Sequence, residues 1–327
     1  MSQVVSGTTW RATHGLSVGD QAMRVFVYQA FVQAGGTHMA YQVGCILKQR
    51  FGCEVLAVGA RPETGMFRYP VPLPVIAEAE LVALATPADL LICNPSFSDR
   101  GFGLGLPCRK LCYVQGVRTF QVLDVFFDHY VFVTGWVRDF VRRYYGIEGP
   151  VIPAFIDTGV FHADGTLPAS RRRTVCAVMQ RKHDPRVLET LRRVYERMSG
   201  GERLPLETIP VTDQATLARK FRESRVFLGL DVMEGFGLPM LEAMACGCAA
   251  VGWDSGGGGE YVRWGHNALV ARYGDFESLA RLLRTVLTDD DLADALGSCG
   301  AETGPRFSQP RFEQAWAAEL RSLLAAR

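Results

Sequence analysis

The sequence predicts an α/β protein of two domains, each built on a mostly parallel sheet. Three observations carry that prediction. From Arg24 almost to the C-terminus, short apolar runs rich in β-formers alternate with segments whose apolar residues recur at helical spacing. The alternation breaks over 151–173, where Pro153, Gly159, Gly165, Pro168 and the run Arg171-Arg172-Arg173 punctuate the chain. And 327 residues are too many for one small core but about right for two α/β domains.

The elements follow in order. The first 23 residues read as a polar extension. RVFVYQ is a strand that stops at Ala34-Gly35-Gly36, and Met39, Val43, Ile46 and Leu47 then mark a helix ending near Phe51-Gly52. EVLAVG, ADLLIC, KLCYVQ and YVFVT are further strands. The stretches Arg61 to Pro74 and Asn94 to Pro107 are Pro- and Gly-rich loops of the kind that border sites. Gly135 to Tyr145 is a helix closed by Gly146. Past the break, TVCAVM, a strand near Thr208-Ile209, RVFLGL and AAVGW alternate with helices at Pro185 to Met198, Asp213 to Glu223 and Pro239 to Cys246. Later helices start near Asp275, Asp290 and Pro310, and the acidic run Asp289-Asp290-Asp291 reads as a helix cap rather than a metal site. The expected division is 24–156, 157–309, and a C-terminal helix over 310–327 that returns to the first domain.

Composition narrows the function. With 48% hydrophobic and 21% charged residues and a net charge of +1, the chain has no global pull toward nucleic acid, so affinity for phosphate must come from local placement. Nine cysteines sit among apolar neighbours; Cys93 and Cys176 read as small buried hydrophobes. The close pairs Cys108/Cys112 and Cys246/Cys248 lack a second pair or a His at zinc spacing, so no metal site is expected. The N-terminus lacks the basic and apolar regions of a secretory signal, and no stretch nears the length of a spanning helix. The expectation is a cytoplasmic protein.

The informative segment is RVFLGLDVMEGFGLPMLEAMACGCAAVGW. A strand runs into the glycine-bearing loop DVMEGFG, and Pro239 suits the first position of the helix that follows, with Glu242 then in its first turn. Free N–H groups and the positive end of the helix dipole converge at such a junction, which suits phosphate. Gly235 and Gly237 let the backbone approach a ligand, while Glu234 and Glu242 are acceptors for sugar and ribose hydroxyls. The plainer alternative is an ordinary turn with a helix-start charge.

With these residues the sequence resembles the GT-B-fold glycosyltransferases of the large retaining family often called family 4. That family carries two glutamates separated by seven residues, matched here by Glu234 and Glu242 in EGFGLPMLE. A further signature one strand later is matched by SGGGGEYVRWGHNALV, with Gly256, Gly257 and Glu260 in place. VIPAFIDTGVF, with Asp157 and Phe161, resembles the family's linker, and Gly35-Gly36 its glycine loop between the first strand and helix. The likeness covers most of the chain from residue 24, strongly in the C-terminal half and weakly over 61–110.

The resemblance implies two Rossmann-like domains facing across a cleft, and transfer of a sugar from a nucleotide diphosphate, UDP or GDP foremost, with retention and without an essential metal or other cofactor. It implies that Glu234 contacts the transferred sugar and that the stretch Gly235, Phe236, Gly237 and Leu238 faces sugar and diphosphate. Glu242 would hold the ribose, with Glu260, Gly35 and Gly36 also toward the donor, and Arg181-Lys182 would neutralise the diphosphate. Many members have a His near the reacting carbon where this chain has Gln115, and Pro-Ser where it has Leu230-Asp231. His38 is a minor candidate for the cleft. The acceptor would be a glycan, a lipid-linked glycan or a small molecule. Arg138, Phe140, Arg142, Arg143, Tyr144 and Tyr145 make one helix basic and aromatic, which fits either a membrane surface or a solvated face over a buried aromatic stripe. A sugar-nucleotide epimerase on the same fold and a non-catalytic nucleotide-sugar binder are the rival readings.

Overall fold

The computed structural model describes residues 17–18, 21–28, 35–59, 73–93, 103, 105–117, 127–165, 167–178, 184–210 and 212–325. The expected α/β class holds, with two parallel-stranded sheets and flanking helices. One sheet has the order β5-β4-β3-β6-β7-β8, from Val75–Ile76 (β5), Glu54–Val58 (β4), Arg24–Tyr28 (β3), Leu90–Cys93 (β6), Arg109–Val114 (β7) and His129–Phe132 (β8). Helices Gly35–Phe51 (α1), Glu78–Leu84 (α2) and Gly135–Tyr145 (α3) belong to this part of the sequence. The other sheet is β10-β9-β11-β12-β13, from Leu206–Ile209 (β10), Thr174–Val178 (β9), Ser224–Gly229 (β11), Ala249–Trp253 (β12) and Ala268–Ala271 (β13). Its helices are Pro185–Met198 (α4), Gln214–Glu223 (α5), Leu238–Ala245 (α6), Phe276–Thr288 (α7) and Asp290–Thr303 (α8), and Gln309–Ala325 (α9) follows at the end of the chain.

The chain divides into two compact units, one of 1–112, 125–129 and 316–327, the other of 113–124 and 130–315. In the first, Arg24 on β3 pairs with the buried Asp89 at 3.1 Å, and His129 Nε2 lies 2.8 Å from Glu319 Oε1. In the second, all four strand pairings are parallel, so the central β11 is covered on both faces and every residue in it is buried. Val226, Leu228, Val251 and Trp253 meet Leu279 and Leu283 of α7 in one core.

Several elements depart from the expectation. The predicted polar extension contains a short antiparallel pair, Ser17–Val18 (β1) with Gln21–Ala22 (β2). The pair brackets a Gly-Asp dipeptide, a hairpin-turn signal too short to outweigh its polar surroundings. Strands β5 and β13 and helix α2 were not anticipated, because two to seven residues are too few to display a period. Gly35 and Gly36 are not in a loop but are the first residues of α1, and the residues before them lie outside the described ones. His38, the minor candidate for the cleft, is buried in the first turn of α1, and burial lowers its pKa to about 4. On α3 the buried residues are Val137 and Val141, while Tyr144 and Tyr145 are exposed, so the face it buries is aliphatic rather than aromatic.

Caps follow the sequence closely. Asp184, Asp213, Asp275 and Asp289 each accept a backbone N–H at the start of α4, α5, α7 and α8, and Gly146 closes α3 with φ 69°. Cys93 and Cys176 are fully buried, as expected. No helix among the described residues is long and apolar enough to cross a membrane.

Candidate functional site

The glycine-bearing loop is positioned by the two strands beneath it. Gly229 and Gly252 pair in register at the ends of β11 and β12. A Cβ on Gly252 would fall 2.4 Å from the Gly229 carbonyl oxygen, and one on Gly229 would fall 2.5 Å from Met240 Cε. Two glycines are therefore needed for Met240 to lie over the strand ends and seat α6 there.

Between β11 and α6 the chain adds a short bridge to the loop that follows β12. The Glu234 N–H donates to the Ser255 carbonyl at 2.9 Å, and the Gly257 N–H donates to the Glu234 carbonyl at 3.0 Å. Both loops are held at contact distance. A Cβ on Gly257 would sit 2.3 Å from the Gly235 oxygen, and one on Gly235 would sit 1.7 Å from the Gln115 oxygen. No residue but glycine fits either place without backbone movement. Gly237 adopts a left-handed conformation, φ 84° and ψ 52°, at the N-cap of α6. Its carbonyl accepts a 2.7 Å hydrogen bond from the Tyr261 hydroxyl, and no side chain caps the helix.

That left-handed glycine sets the helix start. Leu238, not Pro239, is the first helical residue, so Pro239 is second and Glu242 is fifth. The first turn holds no acid, contrary to expectation, and Glu242 lies one residue deeper, at the start of the second turn, and half-buried. Phe236 is buried, its ring 5.4 Å from that of Tyr261 and 5.7 Å from that of Phe307, so this residue anchors the loop. Burial first, then the negative fields of Asp231, Glu234 and Glu242, push the Tyr261 phenol well above its usual range. The hydroxyl therefore stays a donor at neutral pH, and the three carboxylates share one neighbourhood.

Three consecutive residues at the start of α3, all in the same unit, grip these loops. Thr134 caps α3 by accepting from the Val137 N–H at 3.1 Å, and its hydroxyl donates to the Gly235 carbonyl at 3.0 Å. The Gly135 N–H donates to Glu260 Oε1. The Trp136 ring lies against Gly256, where a Cβ would fall within 2.5 Å of it. Glu260, at the end of a single tight turn over Gly257–Glu260, thus has one carboxylate oxygen at the positive end of α3. Gln115, just past β7, presents its carbonyl to Gly235, and its buried side-chain Nε2 finds no hydrogen-bond partner among the described residues. An orphaned amide donor beside the loop is a group that a ligand can satisfy.

Of the residues singled out in the sequence, Gln115, Glu234, Gly235, Phe236, Gly237, Leu238, Glu242, Gly256, Gly257 and Glu260 all fall in one unit around this junction. Gly35, Gly36 and His38 lie in the other unit. Arg181 and Lys182, and most of the two long predicted loops, lie outside the described residues. Asp157 accepts from the Gly159 N–H at 2.9 Å and Phe161 packs its ring on Phe221, which makes this linker pair structural. Sequence reasoning missed Thr134, Trp136 and Tyr261. Only Tyr261 carried a signal, its place directly after Glu260 in the second motif. Among the described residues no group of three or more His, Cys, Asp or Glu side chains is placed to hold a metal ion.

Comparison with known proteins agrees with this geometry. Residues 209–303, which include both motif glutamates, match the family model of glycosyl transferases group 1. The serotype-specific mannosyltransferase WbdA of Escherichia coli is 28% identical over 149 residues, 46% of this chain. A putative glycosyltransferase, EpsD of Bacillus subtilis (strain 168), is 33% identical over 86 residues, 26% of this chain. The chain spans under a quarter of either relative, 18% of WbdA and 23% of EpsD. Among solved structures, Anabaena Alr3699/HepE in complex with UDP and glucose superposes with a TM-score of 0.72 at 15% identity, over 92% of this chain and 100% of that one. A Rickettsia africae glycosyltransferase gives 0.71 at 11% identity, over 93% and 98%. The fold shared along nearly the whole chain is thus of the GT-B type, and residues 209–303, which span both glutamates, match the group 1 glycosyl transferases.

Proposed function

We propose that this chain transfers a sugar from a nucleotide diphosphate to a hydroxyl acceptor with retention of configuration. The observation that carries the reading is the β11–α6 junction. A left-handed glycine opens a helix whose N-terminus no side chain caps, and Glu234 and Glu242 flank it. Backbone N–H groups and the helix dipole favour a diphosphate there, and the developing charge on the leaving nucleotide is the charge such a site stabilises during transfer. Glu234 takes hydroxyls of the sugar, Glu242 those of the ribose, and the Gln115 amide is a donor for the reacting region. Arg181 and Lys182 supply positive charge to the diphosphate. The solved relative with UDP and glucose bound, together with the mannosyltransferase relative, makes UDP- and GDP-sugars the donors to test. The acceptor is a glycan, a lipid-linked glycan or a small molecule. A cytoplasmic location with peripheral membrane contact through the exposed Tyr144 and Tyr145 beside Arg142 and Arg143 is consistent with a lipid-linked acceptor.

Two measurements test this. Titration with UDP, GDP and dTDP should show one preferred nucleotide, and Glu242→Ala should weaken it by about ten- to several-hundred-fold, the loss of one or two hydrogen bonds to a charged acceptor. Unchanged affinity in a variant that melts like the wild type removes Glu242 from the site. The reading assigns charge stabilisation to the helix, the loop amides and the basic pair, so transfer should survive dialysis against EDTA. Complete loss, restored by magnesium or manganese, refutes that part. Turnover of a nucleotide sugar, even as slow hydrolysis, separates a transferase from a pure binder.

A further inference from the structure

A cavity adjoins the junction on the side of Met233. It measures about 290 Å³ and is lined by Trp136, Val232, Met233, Asp254, Ser255, Gly256 and Tyr273, all in one unit. Its size is near the lower end of small-ligand sites, roughly 300–1,000 Å³. Three features set it apart from ordinary surface. Met233 holds a left-handed backbone, φ 53°, the sole non-glycine to do so among the described residues, and its side chain is exposed. Strain of this kind in a long side chain marks a place where the surroundings dictate the conformation. Tyr273 is 63% exposed, yet its ring is fixed edge-on against the buried Trp253 at 5.9 Å. The Gly256 N–H donates to Asp254 Oδ1 at 3.1 Å, which orients that exposed carboxylate.

The lining chemistry selects the ligand. Among the described residues it offers aromatic and thioether surface, one carboxylate, the hydroxyls of Ser255 and Tyr273, and no Lys, Arg or His. A phosphate or carboxylate ligand would meet Asp254 with no cation among the described lining residues to offset the repulsion. A pyranose has an apolar face for an aromatic ring and hydroxyls that donate to a carboxylate. The cavity also shares Gly256 with the bridge to Glu234, and Met233 directly precedes Glu234. We propose that this cleft is a carbohydrate subsite of the acceptor, in which a pyranose packs on the aromatic wall of Trp136 and Tyr273 and hydrogen-bonds to Asp254. Its role as an acceptor subsite rests on the glycosyltransferase reading; the binding itself does not.

Saturation-transfer NMR on the full chain tests it without turnover. The probes are the methyl α-pyranosides of glucose, mannose and galactose, with tetramethylammonium as the rival that an aromatic and acidic pocket also suits. At least one pyranoside should bind, and saturating UDP should leave it in place. Tyr273→Ala and, separately, Asp254→Asn should each weaken it by about tenfold, on the scale of a lost hydrogen bond to a charged group. Both sites are exposed, so both variants should melt within a few degrees of the wild type and bind UDP within twofold of it. The proposal is overturned if no pyranoside binds, if only tetramethylammonium binds, if UDP displaces the sugar, or if both variants bind sugar like the wild type. Pyranoside binding that follows these variants, in a protein that turns over no nucleotide sugar, would refute the transferase reading and leave the subsite standing.

Discussion

Gly235→Ala should lower kcat/KM by about a hundredfold or more, the scale set by displacing catalytic groups by roughly 1 Å. The added Cβ would sit 1.7 Å from the Gln115 oxygen and 2.6 Å from its carbonyl carbon, which are backbone atoms and cannot rotate away. The loop must therefore shift, and with it go the Thr134–Gly235 hydrogen bond and the bridge from Glu234 to Gly256. A stability loss of about 1–3 kcal/mol, the usual cost of overpacking, should accompany it as a lower melting temperature. Gly259→Ala is the control, because nothing lies within 4 Å of its added Cβ and its φ is not left-handed. Steady-state kinetics and thermal melts of the two variants decide the matter. Equal behaviour would show that the tight approach to Gln115 is unimportant for catalysis.

Glu234→Gln should lower kcat by about a hundredfold, as loss of one charged group at a reacting centre commonly does, while leaving affinity for bare UDP or GDP within a few-fold. Glu234 is held by both its N–H and its carbonyl, so the substitution changes the carboxylate without releasing the backbone. Free nucleotide lacks the sugar that this carboxylate contacts in the proposed reading. Calorimetry with nucleotide and with nucleotide sugar separates the outcomes, and an equal loss of affinity for both would move Glu234 off the sugar.

Both sheets were legible because a buried parallel strand writes itself as a continuous apolar run, as RVFLGL and AAVGW do. Helices with an acidic cap and a clear period, such as Pro185–Met198, were legible to the residue. The two-residue strands and the seven-residue α2 were not, since they owe their form to tertiary pairing rather than to a local pattern. The same limit shaped the site. EGFGLPMLE announced its strand, loop and helix, but the exact helix start turned on whether Gly237 would go left-handed, and a glycine leaves that open. Thr134 and Trp136 were invisible because what matters is their contact with Gly235 and Gly256, about 100 and 120 residues downstream. Gln115 was reached through resemblance, and only coordinates reveal that its main chain, not its side chain, fixes how close Gly235 can come.

The grip of residues 134–136 on the loops has a consequence for protein engineering. A chimera that joins the second half of this protein to the first half of a relative, with the seam at the linker near residue 157, would carry over Gly235, Gly256 and Glu260 but leave behind Thr134, Gly135 and Trp136. The transplanted loops would then meet a foreign helix start, one that need not offer a hydroxyl at the first position or a free N–H and a flat ring at the next two. Donor preference in such a hybrid would be confounded with poor fit. A seam placed upstream of β8 (His129–Phe132) keeps the loops and their clasp together, and it makes the portable piece of this protein longer than its second sheet alone.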